Sequence, residues 1–450
     1  MSSVPPNALI LNGPIITTFL RFTLPSILGL LAITTAIIVD AIFVGRFVSS
    51  DGLAAINLLI PYLSLIFGLA LMLAIGGAVR CGHFLGRGES KLASAVFSKC
   101  MVAVLLIGIS FMLLSLLLDE TILGWLGTPE MLLSLILPYF HIISAVVVVQ
   151  IFTMVLYYFI RQDNGQRLAT SALVIGALMN IALDALFIIH FEMGLTGAAM
   201  ATAISQGLQL LILLCFFTRR QRLLSWSWPH QWSELKPISF NGLSECINEI
   251  SGGLVILVIN WTLVMQLNVD GIAAFAVINY LIFVSLMLYY GIADALHLLV
   301  SHNHGAANPQ RILQFVAAAS GMVLLISLAL VTLLLVSPQW LTALFLSDSS
   351  AASRQLSMIF ISLVWPLFVI NGLNVILSIY LTAMQKPRPS MMIALSRGLV
   401  LPVGLLMLLS WLLTPPQFLI ALPIAEWLTF ILAAWLFFRH SPSRSMSKKP

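Results

Sequence analysis

The chain has 450 residues, of which 60% are hydrophobic and only 8% charged, and its mean hydropathy is +1.06. A soluble domain of this size carries roughly a quarter charged residues, so the composition excludes a soluble enzyme or nucleic-acid-binding domain and reads as an all-α polytopic membrane protein. The formal charge of +5 is no sign of a nucleic-acid partner, because the basic residues lie in short loops, where they set membrane orientation.

The opening stretch, MSSVPPNALILNGPII, lacks a basic n-region and a small-residue cleavage site, so the first helix is expected to be retained. About twenty apolar residues are needed per transmembrane helix. By that measure spans are expected near 15–48, 53–80, 92–118, 131–159, 168–190, 195–217, 237–267, 271–301, 312–336, 355–383, 391–413 and 417–438. The longer ones exceed a straight crossing and should tilt, bend or extend beyond the lipid. With the N-terminus inside, the inner loops hold Arg87 and Lys91, Arg161 and Arg167, Arg219, Arg220, Arg222 and Lys236, Arg311, and Lys386 and Arg388. The tail adds Arg439, Arg444, Lys448 and Lys449. Only Arg46 and Arg354 fall outside, where the loops carry Asp51, Asp119, Glu120, Glu130, Glu192, Asp270 and Asp348. This bias predicts twelve transmembrane helices with both termini cytoplasmic.

The chain repeats itself. DGLAAIN at Asp51 matches DGIAAFA at Asp270, and Gly86 in HFLGRGES matches Gly305 in SHNHGAANPQ, both at an offset of 219 residues. Arg167 in RQDNGQR pairs with Arg388 in MQKPRP at an offset of 221. Two six-helix halves are therefore expected, residues 1–220 and 237–450, joined by a basic cytoplasmic linker over 221–236. Six is even, so the halves share an orientation and are related by a pseudo-two-fold axis along the membrane normal, with a substrate cavity between them. Cys81, Cys100, Cys215 and Cys246 have no pairing or metal spacing and read as small core residues.

Asp184 follows Asn180 by one turn within MNIALDALFII. An ionisable residue inside a lipid-spanning helix is costly and marks a functional site by default, and the i, i+4 spacing puts amide and carboxylate on one face. The expectation is an ion or proton site in a transporter. Asp40 is a second intramembrane acid, and Pro25 lies fifteen residues before it in the same span.

These features resemble the multidrug and toxic compound extrusion (MATE) family, nearest its DinF-like branch. The carriers are Pro25 and Asp40 in PSILGLLAITTAIIVDAIFVGRF, the loop GHFLGRGES, the stretch MNIALDALFIIHFEMGLTGAAMATAISQ and its second-half echo SHNHGAANPQR. The resemblance implies export of amphipathic, often cationic, organic compounds against inward flow of H⁺ or Na⁺. It implies a first-half cation pocket at Asp40, Asn180, Asp184 and Thr202, able to take H⁺ or Na⁺. An aromatic hydroxyl that some members place one turn before the first-helix Asp is replaced here by Ala36.

Residue counting agrees. At 1.5 Å per residue, Asp40 lies about 12 Å and Asp184 about 9 Å below the outer ends of their spans, with Thr202 at a similar depth after the GLTG turn. As oxygen ligands these groups suit a small hard cation. As a close acidic pair in a medium of low dielectric they cannot both ionise easily, so a proton is held or lost there. Protonation at Asp40 or Asp184 is expected to bend the first span near Pro25, which lacks a backbone donor; a static kink reads the same residue equally well.

The second half adds Glu245 and Glu249, one turn apart in LSECINEISGG, and Asp294 in YYGIADALHLL at the depth of Glu245. They stand as a second acidic or substrate site, or as the lining of a wet vestibule. Glu426 is a further intramembrane acid. His297, His302 and His304 read as an interfacial loop, not a metal site. The 18 Met and 26 Phe suit a re-packable apolar cavity, and lipid-facing packing equally.

The reading is a secondary active antiporter of the bacterial cytoplasmic membrane, a monomer among lipids, with no cofactor and no enzymatic activity. The alternative is a flippase for lipids or lipid-linked precursors. Such a flippase places several Arg or Lys in its cavity to meet phosphate, whereas the intramembrane charges here are mostly acidic, with Arg397 the main exception. A nucleotide-driven pump is excluded by the absence of a G-x-x-x-x-G-K-[ST] loop.

Overall fold

A bilayer offers no water to backbone amides, so an apolar chain crosses it as helices that satisfy their own hydrogen bonds. The computed structural model describes residues 6–228, 231–345 and 351–446; the expected loop charges at Asp348, Lys448 and Lys449 lie outside them. Twelve helices are long and apolar enough to cross a membrane. In the first half they are span 1 (Ile15–Val48), span 2 (Asp51–Gly86), span 3 (Ser90–Leu117), span 4 (Glu130–Gln162), span 5 (Gln166–His190) and span 6 (Gly194–Thr218). In the second half they are span 7 (Trp232–Asn268), span 8 (Asp270–Gly305), span 9 (Pro309–Val336), span 10 (Ala351–Ala383), span 11 (Pro387–Leu412) and span 12 (Gln417–Arg439).

The expected boundaries differ from these mainly at the basic end of the bundle, where helices run past the apolar stretch. Span 2 continues to Gly86 and span 8 to Gly305. His297, His302 and His304 therefore belong to a helix and not to a loop, and the first two are buried. Arg161 is likewise no loop residue: it is buried near the end of span 4. The breaks between spans fall where the sequence tolerates a left-handed backbone, as at Gly88, Gly194 and Asn268.

Internal repetition extends to backbone detail. The positive-φ residues Asn164 and Gln385 stand 221 positions apart, the same separation as Arg167 and Arg388. At the basic end, a Cβ at Gly86 would collide with the carbonyl of His302, and a Cβ at Gly305 with the carbonyl of His83. Each half thus presents a glycine to the other half's histidine, and the backbones of spans 2 and 8 meet without side chains between them. Further in, Gly242 of span 7 packs on the Met72 carbonyl of span 2, and Gly291 of span 8 lies against Ile27 of span 1. Small residues allow such approach, which is how helices associate where lipid supplies no hydrophobic drive.

The linker is pinned to the first half. Asp163 Oδ2 accepts from the backbone N–H of Leu223 (2.7 Å) and Leu224 (2.9 Å). Ser94 Oγ accepts from Ser225 N (3.1 Å), and Ser98 Oγ from Ser227 N (2.9 Å). Lys99, buried in span 3, reaches Glu234 at 2.6 Å. Three of the cysteines are buried core residues as expected, but Cys215 is exposed.

Candidate functional site

Asp40 and Asp184 both stand just before a widened turn. The π-helical segment Val44–Val48 closes span 1 and Ala185–His190 follows Asp184 directly. Such turns re-aim side chains and loosen backbone pairing, and they recur at functional sites. Beside them is a cavity of about 300 Å³, lined by Asp40, Asn180 and Thr202 together with Tyr139, Gln206 and Gln209. Asp184 is fully buried behind this wall and lies within electrostatic reach of Asp40. The structure therefore gathers all four residues of the expected pocket in one region.

Their hydrogen bonding is incomplete. Oδ1 of Asp40, both carboxyl oxygens of Asp184 and the amide nitrogen of Asn180 are buried, and no hydrogen-bond partner faces them among the described residues. Leaving such groups unmatched is expensive. The donor set of two carboxylates, an amide and a hydroxyl fits a proton or a small hard cation. Tyr139, from span 4, is buried within reach of both acids. It brings an aromatic hydroxyl to the region where Ala36, also in the cavity wall, supplies none. Its separation of about a hundred residues from Asp40 gives no sequence signal. Pro25 lies inside a continuous helix, and its carbonyl accepts from Thr170 Oγ1 at 3.2 Å.

The second half has its own cavity, of about 190 Å³, lined by Asn248, Asn279, Tyr290, Asn371, Arg397 and Glu426 among others. Arg397 sits in a third widened turn, Ser396–Val400. Its Nε donates to Glu426 Oε1 (3.0 Å) and its Nη2 to Asn371 Oδ1 (2.9 Å). Asn374 Nδ2 donates to the other Glu426 oxygen at 2.6 Å.

The three second-half acids expected to act together are divided. Glu245 is buried, accepts from Asn248 Nδ2 at 3.4 Å through Oε2, and has no described partner for Oε1. Asp294 is within electrostatic reach of Glu245 but is bound by Arg161 of the first half, at 2.8 Å. Glu249 is half-buried and shares no described hydrogen bond with either. Arg161 is the site residue that sequence reading missed. It follows Tyr157 by one turn at the end of an apolar run, a spacing that hints at burial but names no partner. Among the described residues no His, Cys, Asp or Glu cluster has the makings of a metal site.

The profile of the MatE family matches residues 25–186 and 254–407, one segment in each half. The FAD transporter of Shewanella oneidensis is 24% identical over 439 residues, spanning 95% of each chain. The multidrug export protein MepA of Staphylococcus aureus is 22% identical over 403 residues, 88% of each chain. Among solved structures, the outward-facing conformation of a multidrug resistance MATE family transporter of the MOP superfamily superimposes with a TM-score of 0.90 at 20% identity, over 98% of this chain and 99% of the other. A MATE structure in a bent conformation gives 0.90 at 19% identity over 100% of both chains. With both repeats matched and the twelve-helix architecture shared, the chain belongs to the MatE family of membrane transporters.

Proposed function

We propose that this protein is a cation-coupled exporter of amphipathic, often cationic, organic compounds, and that the coupling ion is taken up at Asp40 and Asp184 with Asn180 and Thr202. The observation that carries this reading is the set of buried, unmatched polar atoms beside the 300 Å³ cavity. The cavity wall contains an acid and no Lys or Arg among the described residues, which suits cationic cargo and disfavours a phosphate-bearing lipid headgroup. Paired acids suffice to hold a proton without the full oxygen shell that Na⁺ demands, so proton exchange is the preferred coupling. Competition is then direct: a cationic drug and a proton both discharge the same carboxylates, and binding of one favours release of the other. The relatives named as multidrug export proteins support the cargo class.

On the same reading the protein works as a monomer in the bacterial cytoplasmic membrane, with the basic end of the bundle and both termini in the cytoplasm. Residues 1–220 and 237–450 act as the two moving halves and 221–236 as their linker. A second reading is export of an anionic flavin nucleotide, as the name of the Shewanella relative suggests; Arg397 in the second-half cavity is the group that favours it.

The test is purified protein in liposomes loaded with a fluorescent cationic dye, under a proton gradient and a sodium gradient applied separately. Dye movement driven by one gradient and lost in Asp40→Asn and Asp184→Asn is the expected result. Movement that survives both substitutions places coupling elsewhere, with Glu245, Glu249 and Asp294 next in line. Movement of FAD but not of dye selects the flavin reading.

A further inference from the structure

A buried charged group that the proposed coupling does not use is Arg161. It is 2% exposed and belongs to the first half, yet its Nη1 pairs with Asp294 Oδ2 of the second half at 2.8 Å. Every nitrogen of the guanidinium is engaged. Nε donates to Gln166 Oε1 (2.9 Å), Nη2 to Ser26 Oγ (2.7 Å), and Nη1 also to the Tyr157 hydroxyl (3.2 Å). Asp294 Oδ1 accepts from the Tyr158 hydroxyl at 3.2 Å. Ser26 in turn donates to the Phe22 carbonyl at 2.8 Å, within the turn of span 1 that contains Pro25. One side chain therefore ties spans 1, 4, 5 and 8 together.

The pair also lies on the path between the halves. It stands next to the basic-end seal, where a Cβ at Gly82 would collide with Ser301 of span 8. The glycines described at this interface, Gly68, Gly76, Gly82, Gly86, Gly242, Gly291 and Gly305, all lie between the middle of the bundle and the basic end. The carboxylates of the first-half cavity lie towards the other end.

We propose that Arg161 and Asp294, with Ser26 and Gln166 as supports, form the latch that holds the basic side of the transporter shut. The physical case rests on what a buried ion pair is good for. Against well-packed apolar side chains it adds little net stability, because desolvation offsets attraction, and its best-attested use is to fix one arrangement against another. Apolar contacts alone would lose their full burial when the halves part. An ion pair behaves differently: opening admits water to both partners, and hydration replaces the lost attraction. The latch is specific while dry and releasable when wet. The supports matter because a guanidinium held in a planar fork by Ser26, Gln166 and Tyr157 meets the carboxylate in one geometry. Arg161 and Asp294 are positioning residues, since neither needs to touch the cargo.

This inference rests on the reading of the chain as a transporter with two alternating faces, so its test uses no cargo and no gradient. Cys246 of span 7 lies with its Sγ 3.3 Å from where a Cβ would stand on Gly68 of span 2, deeper than the latch and buried between the halves. With Cys81, Cys100 and Cys215 replaced by Ala, it becomes the sole thiol. Its labelling by a membrane-impermeant maleimide would be timed from each membrane face, in inside-out and right-side-out vesicles. Arg161→Gln and Asp294→Asn are each expected to raise the rate from the basic face about tenfold. The double variant should match the singles, because both remove one interaction. Ser26→Ala, which keeps the ion pair, should raise it about twofold to threefold. Size-exclusion profile and the labelling of Trp125→Cys, at an exposed position at the opposite end, report folding. If either single variant is misfolded, Arg161→Lys and Asp294→Glu take its place, with an intermediate rate expected. Wild-type rates in well-folded variants would overturn the latch, as would equal increases from both faces, which mean general loosening. Because transport is never measured, failure here leaves the coupling assignment standing, and failure of coupling leaves the latch standing.

Discussion

Two cavities, one in each half of the repeat, have been finished in opposite ways. At the first-half cavity Asp40, and Asp184 behind its wall, have no basic partner among the described residues: they lie within electrostatic reach of each other and leave buried oxygens unmatched. In the second-half cavity Glu426 is matched on both oxygens, by Arg397 and Asn374. Both halves carry a widened helical turn in their fifth span, at Ala185–His190 and Ser396–Val400. The lesson is that shape repeats while charge does not. The first-half acids are left electrically incomplete, as the proposed cation exchange requires, whereas Glu426 in the second half is self-sufficient.

The contrast can be broken most severely at Asp184. Asp184→Asn should reduce gradient-driven dye transport at least tenfold in liposomes, and Asp40→Asn should do nearly the same; retention of more than half the rate in both would falsify the assignment of the ion to the first half. Removing one side of the matched pair should instead damage the fold. Glu426→Gln strands Arg397 and is expected to cost about 3–5 kcal/mol, read as a lowered Tm in detergent, whereas joint replacement with Arg397→Met and Glu426→Leu should restore most of the loss. A Tm unchanged by Glu426→Gln would show that the second cavity is as hydrated as the first. Tyr139→Phe sharpens the comparison more gently. Deleting only the hydroxyl should lower transport about twofold to fivefold with little change in Tm, and a wild-type rate would reduce Tyr139 to packing.

The smallest effect is expected outside both cavities. Burial pushes the Asp163 carboxyl up from 3.8 to about 6, against the opposing bonds from Leu224 and Leu223. A raised folded-state value means that the neutral form is favoured on folding, so this contribution is fully present below about pH 4 and is lost as pH rises through 6. Asp163→Asn should flatten the pH dependence of Tm across that window by the equivalent of at most about 3 kcal/mol. An unchanged slope would mean that the linker contacts do not bury the carboxyl in solution.

Much of this architecture is legible in the chain. Apolar runs long enough to cross lipid are unambiguous, and their ends fell within a few residues of the helices observed. Asp184, Asn180 and Asp40 could be named because intramembrane polar groups are rare; the grouping of all four, Thr202 included, came from the family resemblance, and depth counted along the helices agreed with it. The role of Arg161 could not be named. As the last basic residue before a turn it looks like a loop charge, and its partner Asp294 is 133 residues away. No local pattern encodes an attraction between halves. Lys99 was hidden for a similar reason, since its partner Glu234 lies 135 residues away at the far end of the linker. The widened turns were equally invisible, because a π segment has the composition of the helix around it.

The pinned linker has one more consequence. Asp163, Ser94 and Ser98 hold the connecting segment against the first half from Leu223 to Ser227, and Lys99 holds Glu234, in the first turn of span 7. The tether between the halves therefore has almost no slack, and its free joint falls at the base of span 7. Any parting of the halves at the basic end must turn about that point like a door on its post, so displacement grows with distance from it. Span 2, which packs on span 7 at Gly76 and Gly242, stands close to that post, and the path that opens would be a wedge and not a parallel slot.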